Sequence, residues 1–226
     1  MLIVAIDTSG RHGSVALCSG DADRFEVLQL SPLEGGTYSA RLMPTISLLL
    51  EQNHFDKKDV DGFVVVSGPG SFTGLRVGLA TVKGLCEVLH KPLATVSMLE
   101  AVAVTHGPAK ETVTAVLDAG RSEVYVGEYR PGSASASLAR EYIAKLAEFA
   151  AEASGTAGHL LTPDASVAEF LQSANVRIRQ VAPVQADEIG RIGLRKLLAG
   201  DVADAARVDV NYIRRSDAEV FSAPKG

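Results

Sequence analysis

Tryptophan is absent from this 226-residue chain, and aromatic residues make up only 5% of it. A core built without them is aliphatic, and the 46% of apolar residues assigns that work to Val, Leu, Ile and Ala. There are two cysteines, Cys18 and Cys86, with neither CxxC nor metal-ligand spacing, which excludes a disulfide framework and a cysteine-built zinc site. Both sit among apolar neighbours and read as small buried hydrophobes. The five histidines, at positions 12, 54, 90, 106 and 159, never fall four apart on one helical face, so no helical metal pair is expected. No GxSxG elbow is present. Basic residues number 22 against 27 acids, and nothing longer than Arg214-Arg215 forms a basic run. Direct RNA binding, which draws on concentrated positive charge, is therefore disfavoured. No apolar run approaches the ~20 residues of a membrane span. The start Met1-Leu2-Ile3-Val4-Ala5-Ile6-Asp7 has no basic segment and meets an acid at once, so no signal peptide and a cytoplasmic setting are expected.

What is present is a clear order of periods. Leu2 to Thr8 is a continuous apolar run and reads as a buried strand. Ser14 to Ser19 reads as a second strand, and Arg24 to Leu30 alternates as an edge strand does. A helix is predicted over Ser39 to Asn53, with Pro44 in its first turn or so. A strand over Gly62 to Ser67, a helix over Phe72 to Leu89 and a strand over Pro92 to Ser97 follow. Ser97 and Glu100 predict a capping box for the next helix, to Thr105. This β-β-β-α-β-α-β-α order implies a mixed sheet with helices on both faces. His106-Gly107-Pro108 breaks it, giving lobes at 1–106 and 107–206 and a C-terminal segment, 207–226, that returns to the first lobe. The second half repeats the element order loosely: strands at Thr112 to Asp118 and Glu123 to Arg130, then the low-complexity stretch Pro131 to Ser137, a strand or helix start at Leu138 to Ile143, and alternating helices and strands to Ala199. Val208 to Arg214 reads as a closing extended segment.

The turn Ser67-Gly68-Pro69-Gly70-Ser71 leads straight into the second helix. Amides at a helix start can hold an anion, which makes Gly70 and Ser71 candidates, with Asp7 and Thr8 at the neighbouring strand end. No Walker lysine follows, since Gly74 precedes Leu75-Arg76. A structural turn and an Asx-type strand end are the competing readings. Behind the turn, Gly74 and Gly78 share one helical face, and glycine inside a helix costs roughly 1 kcal/mol against alanine. Close packing must recover that cost, either within the chain or against another protein. The helix is apolar nearly all round, as is the one before it, so both sides of the pair need cover. Asp118, Arg121 and Glu123 cluster at a tight strand connection and read as a turn salt bridge of little worth.

Four stretches carry a resemblance: Ile3-Val4-Ala5-Ile6-Asp7-Thr8-Ser9, Ser67-Gly68-Pro69-Gly70-Ser71-Phe72-Thr73-Gly74-Leu75-Arg76, Leu117-Asp118-Ala119 with Glu123-Val124-Tyr125, and Asn211-Tyr212-Ile213-Arg214. They resemble the TsaB family, the bacterial partners of TsaD in making threonylcarbamoyladenosine on tRNA. The resemblance implies an α/β, actin-like ATPase (ribonuclease H-like) fold of two related lobes, each a mixed sheet flanked by helices. It implies a non-catalytic scaffold that pairs with TsaD through the first two helices, and with TsaE, with no cofactor or metal of its own. Homodimers alone, and tRNA reached only through the complex, are further implications. The interface residues expected are Leu42, Met43, Ile46, Leu50, Gly74, Leu75, Gly78, Val82 and Leu85, with Gly78→Arg as the disrupting change. One departure is Tyr38, where the family often has His. The alternative is an enzyme acting alone, a phosphotransferase or a protease.

Overall fold

The computed structural model describes residues 1–108, 110–130, 137–155, 158–211 and 213. Strand β1 (Leu2–Asp7) is buried along its whole length, as its unbroken apolar run requires. It pairs antiparallel with β2 (His12–Gly20), which pairs antiparallel with β3 (Phe25–Glu34). On its other side β1 pairs parallel with β4 (Gly62–Gly68), and β4 with β5 (Leu93–Ser97). The sheet order is thus β3-β2-β1-β4-β5.

The second half repeats this plan. Strands β6 (Val113–Gly120), β7 (Glu123–Arg130) and β8 (Ser137–Lys145) form an antiparallel meander. Strands β9 (His159–Thr162) and β10 (Ile178–Gln180) add in parallel on the far side of β6, giving the order β10-β9-β6-β7-β8. The two sheets therefore share one topology although their sequences show no repeat.

Helices α1 (Tyr38–Gln52) and α2 (Phe72–Leu89) cover one face of the first sheet. Helices α4 (Leu146–Ala153) and α5 (Ala165–Ser173) cover one face of the second, over Val116, Val124 and Val126. The third helix of each half crosses over. Helix α3 (Met98–His106) packs on β6 and β7, whose other-facing residues Val113, Ala115 and Leu117 join the large core. Helix α6 (Ala186–Leu198) packs on β1, β2, β4 and β5. The 107–206 segment is thus divided between both sheets, because the apolar face of α6 (Ile189, Ile192, Leu197) matches the open face of the first.

Several local expectations change. Strand β3 runs on to Glu34 and includes Pro32, which an edge strand tolerates because one of its sides makes no ladder bonds. Pro44 is the seventh residue of α1, not in its first turn. The α3 capping box is half formed: the Ser97 amide reaches Glu100, but the Ser97 hydroxyl donates to Glu141 at 2.5 Å. The complete box is at α6, between Gln185 and Glu188. From Val208 to Asn211 there is no strand; the Asn211 amide makes one bond, 2.8 Å, to the Ser67 carbonyl. Residues 131–136, Tyr212 and the Arg214-Arg215 pair lie outside the described residues.

Cys18 and Cys86 are both buried and unpaired. Burial pushes their thiols up, to about 12 and about 11. At pH 8 neither holds appreciable thiolate while folded, so a thiol-disulfide reagent should label neither until denaturant unfolds the chain, and then both. Fast labelling of the native protein would contradict this core.

Candidate functional site

The Ser67–Ser71 turn docks against the end of β1. The Ser71 amide donates to the Ser9 carbonyl at 2.6 Å, and the Ser71 hydroxyl accepts the Gly74 amide at 3.4 Å. Two of the amides at the start of α2 are therefore engaged inside the chain, and Gly70 lies so close to Ser9 that a methyl there would overlap the Ser9 carbonyl. Asp7 is buried, and its Oδ1 accepts the Ser9 amide at 2.8 Å and the Ser9 hydroxyl at 2.6 Å. Burial raises its pKa, against the opposing effect of the two Ser9 bonds. Asp7, Thr8, Gly70 and Ser71 do come together as expected, but as a closed Asx-type junction. The Ser71 amide is spent on the Ser9 carbonyl and the Gly74 amide on the Ser71 hydroxyl, and a buried acid stands behind them, which disfavours an anion there.

The glycine stripe faces the same junction. A methyl on Gly74 would overlap the Thr8 carbonyl oxygen, and one on Gly78 would overlap the Thr8 hydroxyl. The stripe thus recovers its cost within the chain, against β1. Leu42, Ile46, Leu50, Leu75 and Val82 are also buried. These seven of the nine expected interface residues cannot form an outer surface, and Leu85 is half-buried. A helix that is apolar all round does not reveal in sequence which side turns inward. Gly78→Arg consequently tests folding rather than contact with a partner. The outward side carries Met43 (43% exposed) and Leu48 (51%) on α1, with Phe72 (42%) and Val88 (76%) on α2. Between the last two lie exposed Ala80 and Gly84, and nothing stands within 4 Å of a methyl placed at Gly84.

Tyr38 closes the junction from the side of α1. Its hydroxyl donates to the Gly10 carbonyl at 2.7 Å and accepts the Gly13 amide. Burial, with the nearby Asp7 charge, raises the phenol to about 12, so it stays a donor at neutral pH. Above it a cleft of about 1100 Å³ opens between the halves, lined among others by Arg11, His12, Ser39, Thr73, Asp118 and Tyr125. At the β6–β7 connection, Glu123 pairs with Lys145 at 2.6 Å, while the Asp118 carboxylate accepts the Gly120 amide.

A second polar cluster has no sequence signal, because its members come from separate elements. The Glu141 carboxylate on β8 accepts the Ser97 and Tyr129 hydroxyls and the Asn211 side-chain amide, the last at 2.7 Å. Beside it Lys196 of α6 pairs with buried Glu100 of α3 at 2.7 Å. Among the described residues no group of three His, Cys, Asp or Glu side chains could hold a metal ion. No helix among them is long and apolar enough to cross a membrane.

Comparison with known proteins places this geometry. The family model described as TsaD, tRNA N6-adenosine threonylcarbamoyltransferase, matches residues 35–183, well over half of the chain. The Bacillus subtilis tRNA threonylcarbamoyladenosine biosynthesis protein TsaB is 34% identical over 130 residues, covering 58% of this chain and 56% of that protein. The Escherichia coli protein of the same name is 33% identical over 132 residues, covering 58% and 55%. The match thus spans little more than half the length of these relatives. A solved structure from Pseudomonas aeruginosa, of a protein described as similar to peptidase YeaZ, superposes with a TM-score of 0.76 at 24% identity, covering 94% of this chain and 99% of that one. The fold is the actin-like, ribonuclease H-like one.

Two outcomes follow from the junction. Gly78→Ala should destabilise the chain by about 2–3 kcal/mol, whereas Gly84→Ala should stabilise it by about 0.5–1 kcal/mol. Denaturant melts of both check this, and equal effects would refute the inward stripe. Because the folded pKa of Asp7 is raised, the stability this group contributes is full below its unfolded value of 3.8 and is lost as pH rises through the folded value. Asp7→Asn, whose Oδ1 can still accept both Ser9 bonds, should therefore gain on the wild type between pH 4 and pH 7 in thermal melts. A loss over that range would mean that the charge itself is stabilising.

Proposed function

We propose, on the premise that the chain belongs to the TsaD threonylcarbamoyltransferase family and is one of its TsaB members, that it is a non-catalytic scaffold subunit in the biosynthesis of threonylcarbamoyladenosine on tRNA. In this reading it pairs with TsaD through the outward faces of α1 and α2, TsaE joins the pair, and tRNA is held by the complex. The observation that carries the reading is the exposed apolar side chains of those two helices, Met43 and Leu48 on α1 and Phe72 and Val88 on α2, with exposed Ala80 and Gly84 between the last two along the helix. Exposed large apolar side chains gathered on neighbouring helices mark a protein contact, and a glycine with open space above it lets a partner helix approach closely. Gly84, and not the Gly74 and Gly78 stripe, supplies that approach.

The closed Asp7–Ser9 junction supports a scaffold over an enzyme acting alone. Its carboxylate is buried and already accepts two bonds, where a phosphotransferase would present it to a substrate. The net charge of −5 likewise favours tRNA contact through a partner.

The test uses surface positions only. Met43→Glu should leave circular dichroism and melting unchanged and Gly84→Arg should keep the fold with melting unchanged or slightly raised, as for Gly84→Ala, yet both should weaken co-elution with TsaD by at least about tenfold in affinity. Undiminished complex formation by both variants would remove this face from the interface. Loss of a self-associated form instead, with TsaD binding intact, would assign the face to homodimers.

A further inference from the structure

The motif Asn211-Tyr212-Ile213-Arg214 has no part in the reading above, yet its first residue meets the turn that starts α2. We propose that Asn211 is a positioning residue for α2, and that Glu141 of the second sheet holds it in place. The turn is gripped from two sides. In front, the Ser71 amide bonds the Ser9 carbonyl. Behind, the Asn211 amide bonds the Ser67 carbonyl at 2.8 Å, and the Asn211 carbonyl lies so near Gly68 that a methyl there would stand 2.8 Å from it. Val210, just before, is buried against the large core.

The side chain of Asn211 points the other way along the chain of contacts. Its Nδ2 donates to Glu141 Oε2 at 2.7 Å. Glu141 Oε1 accepts from Ser97 at the end of β5 and from Tyr129 on β7. Burial and the facing carboxylate keep the Tyr129 phenol protonated, so it remains a donor. One carboxylate thus gathers donors from both sheets and from the C-terminal segment. A shift of β8 against β5 pulls on Asn211, and through Ser67 and Gly68 on the aim of α2.

Hydrogen-bond polarity gives a cycle that separates positioning from bulk. In Asn211→Asp two carboxylates face each other at bonding distance and the link breaks. In Glu141→Gln the Asn211 amide can turn over and accept, so the link persists. The double variant, Asn211→Asp with Glu141→Gln, has a carboxamide on β8 and a carboxylate facing it. The carboxamide oxygen accepts from Ser97 and Tyr129 while its NH2 donates to the carboxylate, which restores the pattern with the charge moved.

The readout is amide hydrogen exchange over Gly70 to Val77 in the full chain, with no partner present. Asn211→Asp should speed exchange there about fivefold, while Glu141→Gln and the double variant should stay within about twofold of wild type. If Asn211→Asp does not fold, Asn211→Ala supplies the broken link with no added charge and the same expected gain. Faster exchange confined to residues 201–211, or a double variant as fast as Asn211→Asp, would overturn the proposal. Any consequence for TsaD affinity rests on the scaffold reading. That reading stands or falls with the Met43 and Gly84 variants, whereas the exchange cycle needs only this chain.

Discussion

The contact between the Gly74–Gly78 face of α2 and Thr8 at the end of β1 is the constraint on which the rest of the structure depends. It brings a helix backbone onto a strand end, with the Thr8 carbonyl against Gly74 and only the Thr8 side chain against Gly78. The distance can be kept only by glycine, so the helix accepts roughly 1 kcal/mol of lost propensity at each position. In return α2 is fixed in height and in rotation. Its rotation decides that Leu75, Leu79 and Val82 turn inward and that Ala80, Gly84 and Val88 turn outward. The Ser67–Ser71 turn serves the same end, since its bonds to Ser9 and Asn211 set the direction in which the helix leaves the sheet.

Around that contact the chain builds one plan twice and then ties the copies together. Each half makes a meander of three strands and two parallel additions, and each sends its last helix to the other sheet. The exchange of α3 and α6 joins the facing sides of the two sheets in one large aliphatic core, while a smaller core stays under α4 and α5. Glu100 and Lys196 bond across the two exchanged helices, and Glu141 collects donors from both sheets. The cleft is left between the halves, with the closed Asp7–Ser9 junction at its floor.

Much of this is legible in the sequence, and what is not has definite causes. The bounds of α2, Phe72 to Leu89, follow from a long apolar period launched by a Gly-Pro-Gly turn. The first strand follows from its unbroken apolar run. The inward side of α2 is not legible, because apolar residues such as Phe72, Ala80 and Val88 also occupy its outer face, and so seven buried residues read as a surface. Ser97 reads as a cap because spacing along the chain cannot register a competing acceptor 44 residues away on β8. The crossing of α6 is hidden for a related reason: its apolar stripe requires some partner sheet but does not say which. Asn211 stands out as part of a motif, while its role depends on Ser67 and Glu141, which only the fold brings to it.

The central claim is that the inward glycine contact turns the other side of α1 and α2 into the docking face for TsaD. Hydroxyl-radical footprinting of this chain, free and with TsaD, measures that most directly. The account predicts that Met43, Phe72 and Val88 lose labelling in the complex, while Phe170 on α5 and Leu138 on β8, comparably exposed in the free chain, keep theirs. Protection of Phe170 or Leu138 with Met43, Phe72 and Val88 unchanged would contradict it.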